Sequence, residues 1–357
     1  MYTQFYLERQ TIDIHMTNLI IQRRAFVFGS TLTLAAVTGC GGCRGREHPG
    51  AFTTPEEGEL MLRQVAKREE FVRQLTAFRT PPTAKFNTPA RPVKLLSNFP
   101  ELKNLQRMTH RLHPHPGDEP AAEDSKLGGK FWWPETEPWP MCDVYRIPYI
   151  PVLQLNIDDT PSQAKFLPGT DLLQLLWSPR PHGKAGLPKP MVVWRKKANV
   201  QPPLAAPPNI DYARRQFVPV PCRLFPEPVL ELPDWNTARV TPFKDNYLKQ
   251  KKADEAVQVY RTELSNAPGC KVGGYPHWAD ESASSPSCIT CKRGMDFLLT
   301  LDSQEWANPS WNTPEDAELR GKAKELDGLC GLRFGAVPRV HLFVCRRCDG
   351  WPVQLVL

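Results

Sequence analysis

No apolar stretch of this 357-residue chain stands out as long enough to cross a bilayer. The most obvious run, Ala25 to Thr38, is about 14 residues where about 20 are needed, and the mean hydropathy is −0.43. An integral membrane protein is therefore not expected. The motifs of familiar hydrolases are missing too: there is no G-x-S-x-G and no H-E-x-x-H. The glycine pairs Gly128-Gly129 and Gly273-Gly274 lack G-x-G-x-x-G or Walker spacing, which points to tight hairpins and not to a phosphate cradle. No basic patch is evident either. The net charge of +7 is spread among 38 acidic residues, so no nucleic-acid partner is expected. Room for long helices is scarce, because 38 prolines fix φ and remove amide donors. Short strands, extended connections and few helices should result.

What is present is clearest between Lys271 and Gly350. Two cysteine pairs lie there, Cys288-Ile-Thr-Cys291 and Cys345-Arg-Arg-Cys348, each followed by glycine at Gly294 and Gly350. Zinc takes four tetrahedral thiolates and a knuckle turn supplies two at a time, so this is a four-cysteine metal-site pattern. Structural Zn²⁺ is the expected occupant. Two disulfides are the alternative, since the expected compartment is oxidising. A thioredoxin-like redox role is disfavoured because neither pair sits between a strand and a helix start. Cys142, Cys222, Cys270 and Cys330 remain, and their pairing cannot be read from the sequence.

The front end reads as an address. Arg23-Arg24 opens the apolar run, which ends in Val37-Thr-Gly-Cys40. A charged start, a short apolar core and small residues before the cut make a secretory signal. Arg23 and Arg24 resemble a twin-arginine export signal, although Gln22 stands where Ser or Thr is usual. Val-Thr-Gly-Cys resembles the lipobox of bacterial lipoproteins, with Cys40 as the lipidated residue. Met16 is the expected start of synthesis. Gly41, and not Asp, follows the cysteine, which by analogy favours the outer membrane.

We divide the chain into a signal at 1–39, a flexible tether at 40–53, and a helix with an irregular segment at 54–125. A first β unit at 126–240 includes a proline-rich crossing segment, and a second at 241–357 carries both cysteine pairs. Thr54-Pro55 starts an expected helix to Arg79, Thr241-Pro242 a second to about Ser265, and Thr313-Pro314 a third. The histidines of MTHRLHPHPGDE (His110, His113, His115) are expected in an exposed loop.

The two units echo each other. Lys126-Leu-Gly-Gly129 matches Lys271-Val-Gly-Gly274, and Trp132 or Trp133 answers Trp278. Val152-Leu-Gln-Leu155 falls where Leu298-Leu-Thr-Leu301 does, and Leu173-Gln-Leu-Leu-Trp177 where Val340-His-Leu-Phe-Val344 does. Glycine pair, tryptophan, strand and strand in one order signal an internal duplication. The expected fold class is α+β: two related antiparallel β-sheet units with peripheral helices, and a zinc-knuckle pair in the C-terminal one.

The glycine pair followed by an aromatic, the C-x-x-C before Met295-Asp-Phe-Leu-Leu, and the closing His341-Leu-Phe-Val-Cys345 strand resemble the YwqG-like family, a bacterial domain of unknown function. The resemblance covers about Lys126 to Leu357 and is looser in the first unit, which lacks the cysteine pairs. It implies a pair of related β-sheet units with peripheral helices. A more distant likeness runs to the C-terminal domain of programmed-cell-death-two proteins. Neither supplies catalytic residues.

The functional expectation is an envelope lipoprotein, tethered to the membrane by its N-terminal lipid, acting as a non-enzymatic binding or interaction protein with a structural zinc site. Trp132, Trp133 and Trp278 are candidate lining for a groove that takes a protein or glycan partner, although core packing is the commoner use of such side chains. The alternatives are an immunity-type protein that neutralises a toxin, and a hydrolase acting on envelope polymer from a cleft between the units.

Overall fold

The apolar strings become the central strands of two sheets. The computed structural model describes residues 83–91 and 100–357, apart from 161–164, 184, most of 205–214 and 238–252, 279–283, 324–328 and 335–337; Glu70, Arg73 and Gln74 are also described. All of these lie in one compact unit of the chain, Phe52–Leu357. The expected export signal with Arg23 and Arg24, the expected lipidation residue Cys40 and the expected tether lie outside the described residues. So does most of the expected Pro55–Arg79 helix.

The strands in chain order are β1 (Arg107–Arg111), β2 (His115–Pro116), β3 (Lys126–Leu127), β4 (Ile150–Asn156), β5 (Leu172–His182), β6 (Leu187–Arg195), β7 (Cys222–Arg223), β8 (Glu227–Glu231), β9 (Lys271–Gly273), β10 (Asp296–Asp302), β11 (Arg339–Val344) and β12 (Val353–Val356). They form two six-stranded antiparallel sheets. Sheet 1 runs β2-β7-β3-β4-β5-β6 and sheet 2 runs β12-β11-β10-β9-β1-β8.

Among the described residues helix is sparse, in keeping with the proline content. Among the described residues α1 spans Ala253–Val259 and runs into a wider turn at Tyr260–Leu264, and α2 spans Ala317–Ala323 after a tight turn at Pro314–Asp316. Tyr260 and Leu264 are buried, so the second expected helix does dock by its apolar side. No helix among the described residues is long and apolar enough to cross a membrane.

The segment 81–125 is not irregular throughout, as the sequence suggested. It carries β1 and β2, which form one arm passing from sheet 2 into sheet 1. Strands β7 and β8 form a second arm passing the other way. Each is only a few residues long and is broken by prolines (Pro114, Pro226) that bend the chain from one sheet to the next.

The ladders of the two sheets run in the same register. Lys126 of β3 lies opposite Arg223 of β7, and Lys271 of β9 lies opposite Arg111 of β1. Beyond them Arg223 faces His115, and Arg111 faces Glu227. Strands β4 and β5 carry a bulge between Pro151 and Leu153, and β10 and β11 carry one between Phe297 and Leu299. In both cases the extra residue bends the strand at the start of its apolar run.

Both sheets share one core. Leu153, Leu155, Leu173, Leu175 and Trp177 of sheet 1 cluster with Val272, Leu299, Leu301, Val340, Leu342 and Val344 of sheet 2. Burying a side chain of this size contributes roughly 1.5–3 kcal/mol. The outer face of each sheet is also covered, which explains why β5 reads as an almost unbroken apolar run. Leu176 packs under Phe131, Trp133, Cys142 and Tyr149; Phe343 packs under Trp278, Cys288, Met295 and Cys345.

Candidate metal centre

The second of these outer layers holds the cysteines. Ahead of β10, the loop Pro286–Met295 closes on itself: Cys288 N–H donates to Arg293 O at 2.8 Å, Lys292 N–H to Cys288 O at 2.9 Å, and Met295 N–H to Pro286 O at 2.9 Å. Lys292 takes the left-handed conformation that this turn demands, with φ of 59°. The second knuckle follows β11. There Cys345 N–H donates to Pro352 O at 2.8 Å and Trp351 N–H to Cys348 O at 3.2 Å, while Gly350 supplies a φ of 69°. Arg347 ties the knuckles together by donating to Gly294 O at 3.1 Å.

The two tips converge. The four sulfurs of Cys288, Cys291, Cys345 and Cys348 all lie within 4.8 Å of one another. Close approaches cross between the knuckles, with Cys288 Sγ 3.9 Å from Cys348 Sγ and Cys291 Sγ 3.6 Å from Cys345 Sγ. A tetrahedron of thiolates about 2.3 Å from an ion has edges of roughly 3.8 Å. The arrangement can therefore hold a metal ion. Cys288 and Cys345 are buried, Cys291 and Cys348 partly so. Backbone N–H groups of Cys291 and Thr290 aimed at Cys288 pull its thiol down to about 6, while burial and the neighbouring sulfurs push that of Cys348 up to about 12, so without an ion the crowded sulfurs do not all ionise together.

Beneath the knuckles, sheet 2 carries a buried polar pair. Thr300 Oγ1 lies 2.9 Å from His341 Nδ1, and His341 Nε2 lies 2.9 Å from His277 O. That network assigns the ring proton to Nε2, which donates to the carbonyl. In sheet 1 the same ladder positions hold Gln154 and Gln174, joined by a 2.8 Å hydrogen bond. Burial pushes the His341 imidazole down to about 3. A folded value below the unfolded one means that this contribution to stability is full above pH 6.5 and drains as pH falls towards 3. His341→Gln is thus expected to flatten acid unfolding over that window by about one proton. Denaturant titrations on metal-stripped protein, read below the pH range in which the Cys288 thiol titrates, would test this, and an unaltered slope would count against it.

The histidine-rich stretch is not an exposed loop. His113 and His115 are buried where the two arms cross. His113 Nε2 meets Glu227 Oε2 at 2.9 Å, and His115 Nε2 meets Asp316 Oδ1 at 2.9 Å. Arg111 donates to Thr88 Oγ1 and to Trp311 O, both at 2.7 Å. Burial pushes the Asp316 carboxyl up, but bonds from His115 and Thr313 outweigh it and hold it at about 2. Phe86 stacks on His113 with ring centres 4.8 Å apart and closes the cluster over. Histidines and carboxylates do converge here, as a hydrolase would require, but His113, His115 and Asp316 are buried, Glu227 is partly so, and each histidine is paired with a carboxylate.

The tryptophans are not brought together. Trp133 lies buried in the layer over sheet 1 and Trp278 in the layer over sheet 2. Trp132 is half-buried, its N–H held by Gln154 Oε1 at 2.9 Å. The charged cluster of Arg111, His113, His115, Glu227 and Asp316 escaped the sequence reading. One signal could have found most of it: R-L-x-P-x-P-x-x-E occurs twice, at Arg111–Glu119 and at Arg223–Glu231.

The sequence model of a family described as Domain of unknown function (DUF1963) matches residues 125–314, just over half of the 357 residues. That span takes in the first cysteine pair and stops short of the second. No curated protein matches the chain.

Proposed function

This chain belongs to the family described as Domain of unknown function (DUF1963), and from that premise we propose a non-enzymatic binding protein of the bacterial envelope, its C-terminal sheet pinned by one structural zinc ion. The observation that carries the zinc assignment is the closed set of four sulfurs within 4.8 Å of one another. Four cysteines fill a tetrahedral shell and leave no position for an activated water, so the ion's work is to hold the knuckles. The all-sulfur donor set suits zinc over harder cations. Burial of His113, His115 and Asp316, with Glu227 held by His113, further favours binding over hydrolysis.

The two sheets are, in this reading, duplicated YwqG-like units. Their shared registers and bulges support it. So does R-L-x-P-x-P-x-x-E, which occurs once in each arm and ends on Glu119 and Glu231. Each glutamate accepts the backbone N–H that follows a glycine pair: Glu119 from Lys130 at 2.6 Å, Glu231 from Tyr275 at 2.5 Å.

The N-terminal reading completes the function. Arg23 and Arg24 direct export, and Cys40 carries the lipid that tethers the protein to the outer membrane, where it meets a protein or glycan partner. In cells fed a radiolabelled or clickable palmitate, the wild-type protein should take up label and the Cys40→Ser variant should not. Equal labelling of both would defeat the tether. Capture from envelope extracts should then recover the same partner with the wild-type protein and lose it with the zinc-free Cys345→Ser variant. Turnover of envelope polymer by the purified chain would overturn the non-enzymatic reading.

A further inference from the structure

Sheet 1 has no cysteine pairs, yet it keeps the fold of one knuckle. The loop Pro140–Tyr149 repeats the backbone of Pro286–Met295 bond for bond. Cys142 N–H donates to Ile147 O at 2.8 Å, Arg146 N–H to Cys142 O at 2.9 Å, and Tyr149 N–H to Pro140 O at 2.9 Å. The bridge between Met141 and Pro148 answers that between Ser287 and Gly294. Arg146, with φ of 55°, takes the left-handed turn position that Lys292 takes in the other loop. By this register Cys142 stands where Cys288 does, and Tyr145 stands where Cys291 does.

The second knuckle is replaced outright. One residue past Trp177, Ser178 occupies the place of Cys345. The β5–β6 hairpin then runs on to His182, past the point where the chain of sheet 2 turns through Cys345 to Trp351. This longer hairpin reaches over the loop. His182 Nε2 comes within 3.5 Å of Cys142 Sγ, and the Tyr145 hydroxyl donates to Pro181 O at 2.8 Å. The Tyr145 ring stands edge-on to the His182 ring at 5.0 Å. One thiol and one imidazole make two ligands, half of what a tetrahedral ion needs. The neighbouring carboxylate is engaged elsewhere, with Asp143 2.9 Å from Lys189 Nζ.

We propose that Pro140–Tyr149 is a knuckle without a metal, closed by the Cys142–His182 contact and the Tyr145–Pro181 hydrogen bond where its counterpart is closed by an ion. The proposal rests on the reading of the two sheets as related units and of the four cysteines as a metal centre. Its consequence is an asymmetry. The chain takes up a single ion, and removing that ion loosens the outer layer of sheet 2 while leaving that of sheet 1 closed.

Hydrogen exchange of the full chain, with and without a strong zinc chelator, tests this together with metal analysis. Expected is one equivalent of zinc, with chelation speeding exchange at 286–295 and 344–352 and leaving 140–149 and 178–183 unchanged. Tyr145→Phe and His182→Ala should speed exchange at 140–149 and leave the metal content as it was. Two equivalents of metal, metal lost from His182→Ala, or faster exchange at 140–149 on chelation would overturn the proposal and spare the four-cysteine centre. A chain that holds no metal under any loading condition would instead sink the centre, and this inference with it.

Discussion

Cys345→Ser is expected to abolish zinc uptake and to cost several kcal/mol of stability. The side chain is buried, its sulfur lies 3.6 Å from Cys291 Sγ, and its N–H anchors the second knuckle on Pro352 O. A serine hydroxyl is a poor donor to zinc, and three remaining thiolates held apart in a low-dielectric layer would repel one another. In peptides that fold only around their metal, the ion supplies about 10–16 kcal/mol. The cost here should be smaller, because Val340, Leu342 and Val344 stay packed in the shared core without the ion. For a domain whose net stability is about 5–15 kcal/mol, even a few kcal/mol is a large share. Thermal unfolding should show a chelator-sensitive midpoint in the wild type and a lower, chelator-insensitive one in the variant. A full equivalent of zinc retained by Cys345→Ser, or identical midpoints, would be fatal to the assignment.

Glu231→Ala should be comparably severe, costing about 3–5 kcal/mol. The Glu231 carboxylate accepts bonds from Lys271 Nζ at 3.0 and 2.7 Å, from Ala267 N–H at 2.7 Å and from Tyr275 N–H at 2.5 Å. Both charged side chains are essentially excluded from solvent. Burial pushes the glutamate up and the lysine down, and their mutual attraction opposes both shifts. Deleting the carboxylate leaves a buried ammonium and two amides without acceptors. Gly274 fits this spot because any Cβ there would collide with the carboxylate, and because its φ is 73°. The double variant Glu231→Gln, Lys271→Met should recover part of the loss, since it removes both charges and keeps an acceptor. Denaturant unfolding reads all three proteins. A single-variant loss below about 1 kcal/mol would mean that the pair does not hold the junction between arm and sheet.

The strands that could be read from the chain are those with uninterrupted apolar runs. Val152–Leu155, Leu173–Trp177, Leu298–Leu301 and Val340–Val344 lie in β4, β5, β10 and β11. The meeting of the cysteines was equally legible, because two C-x-x-C pairs form a four-ligand pattern, and the four sulfurs do lie close together. The arms were not. Strands β2 and β7 are two residues each, flanked by prolines that read as breakers. Their pairing is supplied wholly by tertiary context, which local pattern does not encode. The histidines of one arm looked solvated for the same reason: Asp316, the partner that buries His115, lies 201 residues away. The outer layers misled in another way. Trp133 and Trp278 follow glycine pairs in apparent loops, yet those loops fold back and become cover for the sheets.

The exchange of arms has a consequence for dissecting the protein. Strand β7 sits between β2 and β3, and β1 sits between β9 and β8. A chain cut ahead of β7 would leave one fragment with a gap in the interior of its sheet and the other fragment with the same defect. Neither half is thus an autonomous folding unit. Only the two fragments refolded together, each filling the slot left open in its neighbour, should regain the native structure.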